Sequence, residues 1–257
     1  MFRKILVIFM FVLICVLFSG YFYCADRYAA QQAVPLSGDN IKVIITNGQS
    51  QNFISESEIV EMVRPAVKNM TMKEISINSL EQHLCNSSAI CKAEAYIQHP
   101  ATLVLEVAQR NPVVRFQTDK GGFYCDSSGY VLPLLGRITL DLPIVSGKLP
   151  FKVPATRDGY PETGREWLGS LLQFTEQIRK NPYWSKEIEQ LWVEDNGDVV
   201  VYTRSCNEKF IFGSLNDSGD KLTKMAGYYR TIRPKALAEG KQYEVINLKY
   251  KDQIICK

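Results

Sequence analysis

Arg3 and Lys4 are followed by an unbroken run of uncharged, mostly apolar residues from Ile5 to Tyr23, and everything after it reads as a water-soluble chain. At about 1.5 Å of helical rise per residue, ~20 residues cover the roughly 30 Å hydrocarbon core of a bilayer. Positive charge precedes the run, whereas Asp26 and Arg27 follow it with no positive excess. A short cytosolic N-terminus and a large C-terminal part across the membrane are therefore expected. Tyr21, Phe22 and Tyr23 suit an aromatic belt at the far interface. A cleaved signal peptide has a shorter apolar region, about 7 to 15 residues, ending at a small-x-small site. Here the run is longer and ends in aromatics, and bulky Tyr23 precedes Cys24 where a lipoprotein acceptor needs a small residue. The expectation is a cytosolic tail over residues 1–4 and an uncleaved single-pass anchor over residues 5–25.

Beyond the anchor, roughly 230 residues suffice for one large core or two modest ones, and two domains are expected. The 30 basic and 27 acidic residues form no block of like charge, so charge names no nucleic-acid or lipid-headgroup partner. Of the seven cysteines, Cys15 and Cys24 fall in or beside the apolar run. The others, Cys85, Cys91, Cys125, Cys206 and Cys256, show neither a C-x-x-C pair nor a zinc spacing. His83 with Cys85 and Cys91 offers three metal ligands. A helix-facing thiol, or a local disulfide between Cys85 and Cys91 in an oxidising compartment, explains the same residues more simply.

Residues 26–39 are polar and alanine-rich with Pro35 and Gly38, as a linker would be. Residues 40–111 then read as one β-α-α-β-β unit. Ile41 to Ile45 form a short strand ended by the turn-prone pair Asn47 and Gly48. Ser55 and Glu58 have capping-box spacing, and Ile59, Met62 and Val63 recur at helical intervals before Pro65. Asn78 and Glu81 repeat the capping pattern, with Ile77, Leu80 and Leu84 on one face. Ala93, Ala95 and Ile97, then Leu103, Leu105 and Val107, alternate with polar neighbours about a turn at His99, Pro100 and Ala101, which predicts a hairpin.

Residues 112–257 change character to strands and turns. Strands are predicted over residues 113–116, 122–125 and 130–132, joined by Gly-containing turns. Pro143, Pro150 and Pro154 mark residues 142–161 as a loop or a set of short strands, since proline denies a central strand its donors. An amphipathic helix is predicted over residues 162–179, stopped by Asn181 and Pro182. Strands over 188–193, 199–203 and 209–212, a helix over 219–232 ending before Pro234, a terminal strand over 243–250 and the apolar Ile254, Ile255 and Cys256 complete the chain. The fold class is α+β: one membrane helix, a β-α-α-β-β domain and a mixed β domain with flanking helices.

Enzyme signatures are missing. The sequence has no G-x-S-x-G elbow, no phosphate loop ending in G-K-[ST], no H-E-x-x-H and no clustered carboxylate motif. Ser218 and Lys221 match S-x-x-K, but neither S-D-N nor K-T-G accompanies them, and a helix cap at Ser218 explains the serine better. Sequons at Asn69, Asn86 and Asn216 matter only in a eukaryotic secretory pathway. Trp167, Trp184 and Trp192 fall in or beside apolar patterns and are expected in the core. No cofactor, metal or catalytic residue is expected.

The order of parts resembles the bacterial division proteins of the FtsQ/DivIB family, which carry a short cytosolic tail, one span, a POTRA domain and a β domain. The resemblance runs through residues 79–84, 90–97, His99-Pro100-Ala101-Thr102-Leu103 and Arg110-Asn111-Pro112-Val113, where Gln109 replaces the family's usual Glu and Val114 its usual Ala. It continues in Asp126 to Gly129, in Leu142-Pro143 with Gly147, in Gly213 with Lys221-Leu222, and in Ile246-Asn247-Leu248-Lys249-Tyr250. The resemblance implies a non-catalytic scaffold in the inner membrane at the division septum, with its C-terminal domain periplasmic. It also implies binding of FtsB-type and FtsL-type single-pass partners and regulation of septal wall synthesis.

Strand addition is the physical means by which such partners would bind, because an edge strand offers unpaired N–H and C=O groups. The candidate edge carries Tyr243, Val245, Ile246, Asn247, Leu248, Lys249 and Tyr250. Further divisome components would meet the POTRA domain. The alternative is a membrane-anchored POTRA protein of secretion or envelope assembly, using the first domain's sheet edge, and a third reading is a Ser218/Lys221 hydrolase.

Overall fold

The computed structural model describes residues 2–32, 40–48, 53–68, 70–98, 102–134 and 140–257. Pro35, Gly38, Asn69 and the expected turn at His99, Pro100 and Ala101 lie outside the described residues. The apolar run forms helix α1 (Phe2–Gln32), which contains Ile5 and Tyr23. Every residue from Phe9 to Ala30 is exposed. The helix continues past the apolar run to Gln32, as the Ala and Gln residues there favour helix. Arg27 stacks 5.9 Å from the Tyr23 ring centroid.

The chain divides into two compact units, Met1–Arg110 and Asn111–Lys257. In the first, β1 (Ile41–Ile45), α2 (Glu56–Val67), α3 (Ile77–Cys85), β2 (Ile90–Gln98) and β3 (Thr102–Gln109) follow the predicted order. The sheet runs β1-β3-β2, with β1 parallel to β3 and Ala93, Ala95 and Ile97 opposite Val107, Leu105 and Leu103. Ile59 and Val63 of α2, Leu80 and Leu84 of α3, and Leu103, Leu105 and Val107 of β3 are all buried.

Ser55 caps α2 as predicted: its Oγ accepts from Glu58 N at 3.2 Å while Ser55 N donates to Glu58 Oε2 at 2.9 Å. Pro65 does not end this helix, which runs to Val67. Proline there removes a single donor on a solvent-exposed side of the last turn, where water can satisfy the freed carbonyl. The cap of α3 is Ser76 rather than Asn78, and Glu81 instead accepts from Ala95 N of β2 at 2.8 Å. Gln109, buried at the end of β3, accepts from Phe53 N at 2.7 Å and Ile54 N at 3.2 Å, so a neutral amide anchors the approach to α2.

The second unit is one nine-stranded sheet in the order β12-β11-β10-β9-β8-β7-β4-β5-β6. Its strands are β4 (Pro112–Thr118), β5 (Gly121–Asp126), β6 (Val131–Pro133), β7 (Ile144–Gly147), β8 (Ile188–Val193), β9 (Val199–Thr203), β10 (Lys209–Gly213), β11 (Val245–Asn247) and β12 (Ile255–Cys256). The predicted meander is β4-β5-β6. Within the proline-rich stretch, β7 lies inside the sheet, parallel to both β4 and β8. It fits there because its four residues stand between Pro143 and Pro150, so no ladder donor is lost.

Helices α4 (Arg165–Lys180), α5 (Trp184–Glu187) and α6 (Ser218–Gly227) cover one face of the sheet. Leu168, Leu171, Phe174 and Ile178 of α4 and Leu222 and Met225 of α6 pack with Phe116, Leu191, Val201, Phe210, Phe212 and Ile246. The helix predicted to end before Pro234 instead passes through a π-helical turn at Tyr228–Ile232 into α7 (Arg233–Ala238). The wider turn changes the backbone pairing just before Pro234, which then occupies the opening turn of α7, where proline is tolerated. Trp184 is buried and Trp167 packs at the core's margin, but Trp192 is 43% exposed. The period-two alternation of β8 buries Leu191 and Val193 and turns Trp192 to the opposite face.

Candidate functional site

The last ladder of the sheet is built by β10, β11 and β12. β11 lies parallel to β10, with Lys209, Phe210 and Ile211 opposite Val245, Ile246 and Asn247. Lys209 N donates to Glu244 O and Leu248 N to Ile211 O, both at 2.9 Å, which fixes the register at either end. The predicted terminal strand over residues 243–250 is thus only Val245–Asn247, and it is not the outermost one. Asn247 explains the early stop: its Oδ1 accepts from Lys249 N at 3.0 Å, a local turn that competes with the ladder. Outside β11 lies β12, antiparallel, with Cys256 opposite Ile246 and Ile255 opposite Asn247.

The seven residues expected at this edge fall into distinct environments. Ile246 and Leu248 are fully buried in the core, and Tyr243 packs against it. Val245 and Asn247 are half-buried. Lys249 and Tyr250 project beyond the strand, with Tyr250 51% exposed. Lys249 Nζ meets Asp198 Oδ2 at 2.5 Å, and that hydrogen bond holds the lysine above its ordinary pKa. The Lys249 stem lies over Gly213, whose φ of +71° suits glycine and whose missing Cβ would stand 2.7 Å from Lys249 Cγ. Lys224 Nζ donates to Tyr250 O at 2.5 Å, so both exposed residues stand on fixed backbone.

A polar cluster secures the other end of β10 and β11. Glu208, buried, accepts from Tyr228 Oη at 3.1 Å and Arg233 Nε at 2.8 Å. Burial pushes the Glu208 carboxyl up, but the Cys206 thiol and the Arg233 guanidinium outweigh it and hold it below the ordinary carboxylate value. Tyr229 Oη lies 2.9 Å from Cys206 Sγ and 2.8 Å from Thr203 Oγ1. Sequence reading missed this cluster, since Glu208, Tyr228 and Arg233 belong to no local pattern.

Ser218 and Lys221 each bond elsewhere. Ser218 Oγ donates to Gln177 Oε1 at 2.8 Å, and Lys221 Nζ, buried, donates to Ser214 O at 2.6 Å. Ser218 is the first residue of α6 rather than its cap, which is Asp217. Cys85 and Cys91 are free and exposed. His83 Nε2 lies 3.1 Å from Met62 O, and no group of metal-ligating residues occurs among the described residues.

One apolar helix, which fits a single-pass membrane anchor, precedes a small β-α-α-β-β unit and a larger mixed β unit. Residues 38–108 match the POTRA-like domain. Residues 111–257, more than half of the chain, match the family described as FtsQ/DivIB, C-terminal related, and the chain belongs to that family. The curated proteins hold no match to it. Domains of both kinds are typically non-catalytic, and the family is one of divisome-type scaffolds with division-protein partners.

Proposed function

We propose that this chain is a single-pass inner-membrane scaffold of the division septum, with its N-terminus cytosolic and both folded units periplasmic. It links early and late division proteins and regulates septal wall synthesis by binding FtsB-type and FtsL-type partners at its C-terminal sheet edge. One observation carries the reading: the sheet of the family-defining domain ends in very short strands, and Lys249 and Tyr250 stand exposed beside them. A partner segment would complete the ladder through main-chain bonds, and Tyr250 would anchor it, as tyrosine commonly does at interfaces.

The secretion reading would use an edge of the first unit's sheet, β1 or β2. On β2 the Glu81 carboxylate already takes the Ala95 N–H, so that edge has less to offer a polypeptide.

The test is recovery of envelope proteins by the full chain in detergent, wild type against Tyr250→Glu. Recovery of small coiled-coil division proteins by the wild type, lost in the variant, is the expected result. Recovery unaffected by the substitution moves the interface elsewhere, and recovery of unfolded envelope polypeptides favours the secretion reading.

A further inference from the structure

The helix layer of the second unit carries a groove of its own. α4 and α5 form one wall, and α6 with the π-helical turn after it forms the other. Two adjoining hollows of about 410 and 530 Å³ share Asn181, Trp184, Ala226 and Arg230, so they make one continuous trough. From Gly219 to Arg230 its α6 wall runs about 16 Å, at ~1.5 Å per helical residue.

The floor and one end are apolar. Leu222 and Trp184 belong to the core, and Tyr183, Trp184 and Tyr229 pack edge to face with ring centroids 4.7–6.3 Å apart. Tyr183 is 51% exposed. Along α6, Gly219 and Gly227 have nothing within 4 Å of where a Cβ would stand, so another backbone can come close.

The polar groups around this floor have a single sense. Ser218 Oγ already donates to Gln177 Oε1, and Asn181 Oδ1 accepts from Tyr183 N at 3.0 Å and Trp184 N at 3.1 Å. Both amides are left with their NH2 groups as donors. Arg230 is exposed and has no carboxylate partner among the described residues, unlike Arg179 and Arg233, which pair with Glu176 and Glu208. Among the described residues no carboxylate lines either hollow. The trough therefore matches an anionic group set beside apolar side chains. The backbone of both walls is already paired within its own helices, so an extended segment would lie there with its N–H and C=O groups unsatisfied. A helix brings its own pairing and lays its ridges into such a groove.

We infer that this trough docks an amphipathic helix of a second protein, about three turns long. The helix's apolar face meets Leu222, Trp184 and Tyr229, and a flanking Asp or Glu meets Arg230. The contact goes beyond the edge assignment and stands apart from it, since none of the seven edge residues lines either hollow.

The probe is a hydrocarbon-stapled helix of about twelve residues, with Leu along one face and Glu beside it, titrated against the full chain in lipid nanodiscs. Saturable binding is expected, weakened at least ~10-fold by Arg230→Glu, by Gly227→Leu, which fills the trough, and by exchanging the probe's Glu for Lys. Lys235→Glu, an exposed charge change outside the trough, should alter the affinity less than ~2-fold. Thermal melts establish that each variant is folded, and Arg230→Glu, at an exposed side chain, keeps the test decisive if Gly227→Leu is not. Absence of binding, affinity indifferent to Arg230→Glu, or equal affinity for an unstapled proline-bearing version of the probe overturns the inference. Dimerisation of the full chain that Gly227→Leu abolishes would give the trough to a second copy and overturn it as well.

Discussion

Lys249 Nζ and Asp198 Oδ2 stand 2.5 Å apart, tying the segment after β11 to the turn before β9. Asp198 is largely enclosed, while the lysine's stem covers Gly213. Asp198→Asn should lower the Lys249 pKa toward its ordinary value of 10.5, read by NMR titration of the side chain. A raised lysine pKa contributes stability that is present below 10.5 and lost as pH rises through the folded value. The contribution is screened at this surface, so Asp198→Asn should cost no more than about 1 kcal/mol at pH 7.

Glu208 gives the opposite sign. Its carboxyl is held below the ordinary 4.5, so its contribution is present above pH 4.5 and lost as pH falls through the lower folded value. Glu208→Gln should flatten the loss of stability between neutral pH and pH 3, measured by urea denaturation at a series of pH values. An unchanged acid limb would show that the Arg233 contact does not act on folding.

Gly147 ends β7 at φ +93°, and a Cβ there would stand 2.2 Å from Val193 O, a backbone atom of the neighbouring strand that cannot swing away. Gly147→Ala should destabilise the second unit by about 3 kcal/mol. Gly169 in α4 has nothing within 4 Å of the same position, and Gly169→Ala should stabilise by roughly 0.5–1 kcal/mol. Paired thermal melts check both signs.

Gln109→Ala should cost about 3 kcal/mol in the first unit, because it strands the buried N–H groups of Phe53 and Ile54. Gln109→Glu retains both acceptor bonds, and urea midpoints should place it between the wild type and the alanine variant.

Periodicity carried most of the fold. The alternation of Leu103, Leu105 and Val107 and the helical recurrence of Leu168, Leu171 and Phe174 are the buried faces themselves. What local pattern could not show was pairing between distant segments. The prolines leave residues 142–161 open as a loop or a set of short strands, because the place of β7 between β4 and β8 is set by sheet contacts far away in sequence. Trp192 reads as core by the apolar pattern around it, yet strand phase sets it on the outer face. At the candidate site, residues 243–250 look like one strand by alternation. The Asn247 side chain cuts it to three residues, and β12, two residues long, is too short to leave a periodic signal.

The edge assignment is tested most directly by site-specific photocrosslinking in living cells, with the crosslinking residue at Tyr250 in one variant and at Tyr96 of β2 in another. The edge assignment predicts crosslinks to a small single-pass division protein from position 250 and none to that protein from position 96. Crosslinking of that protein from position 96 alone would contradict it.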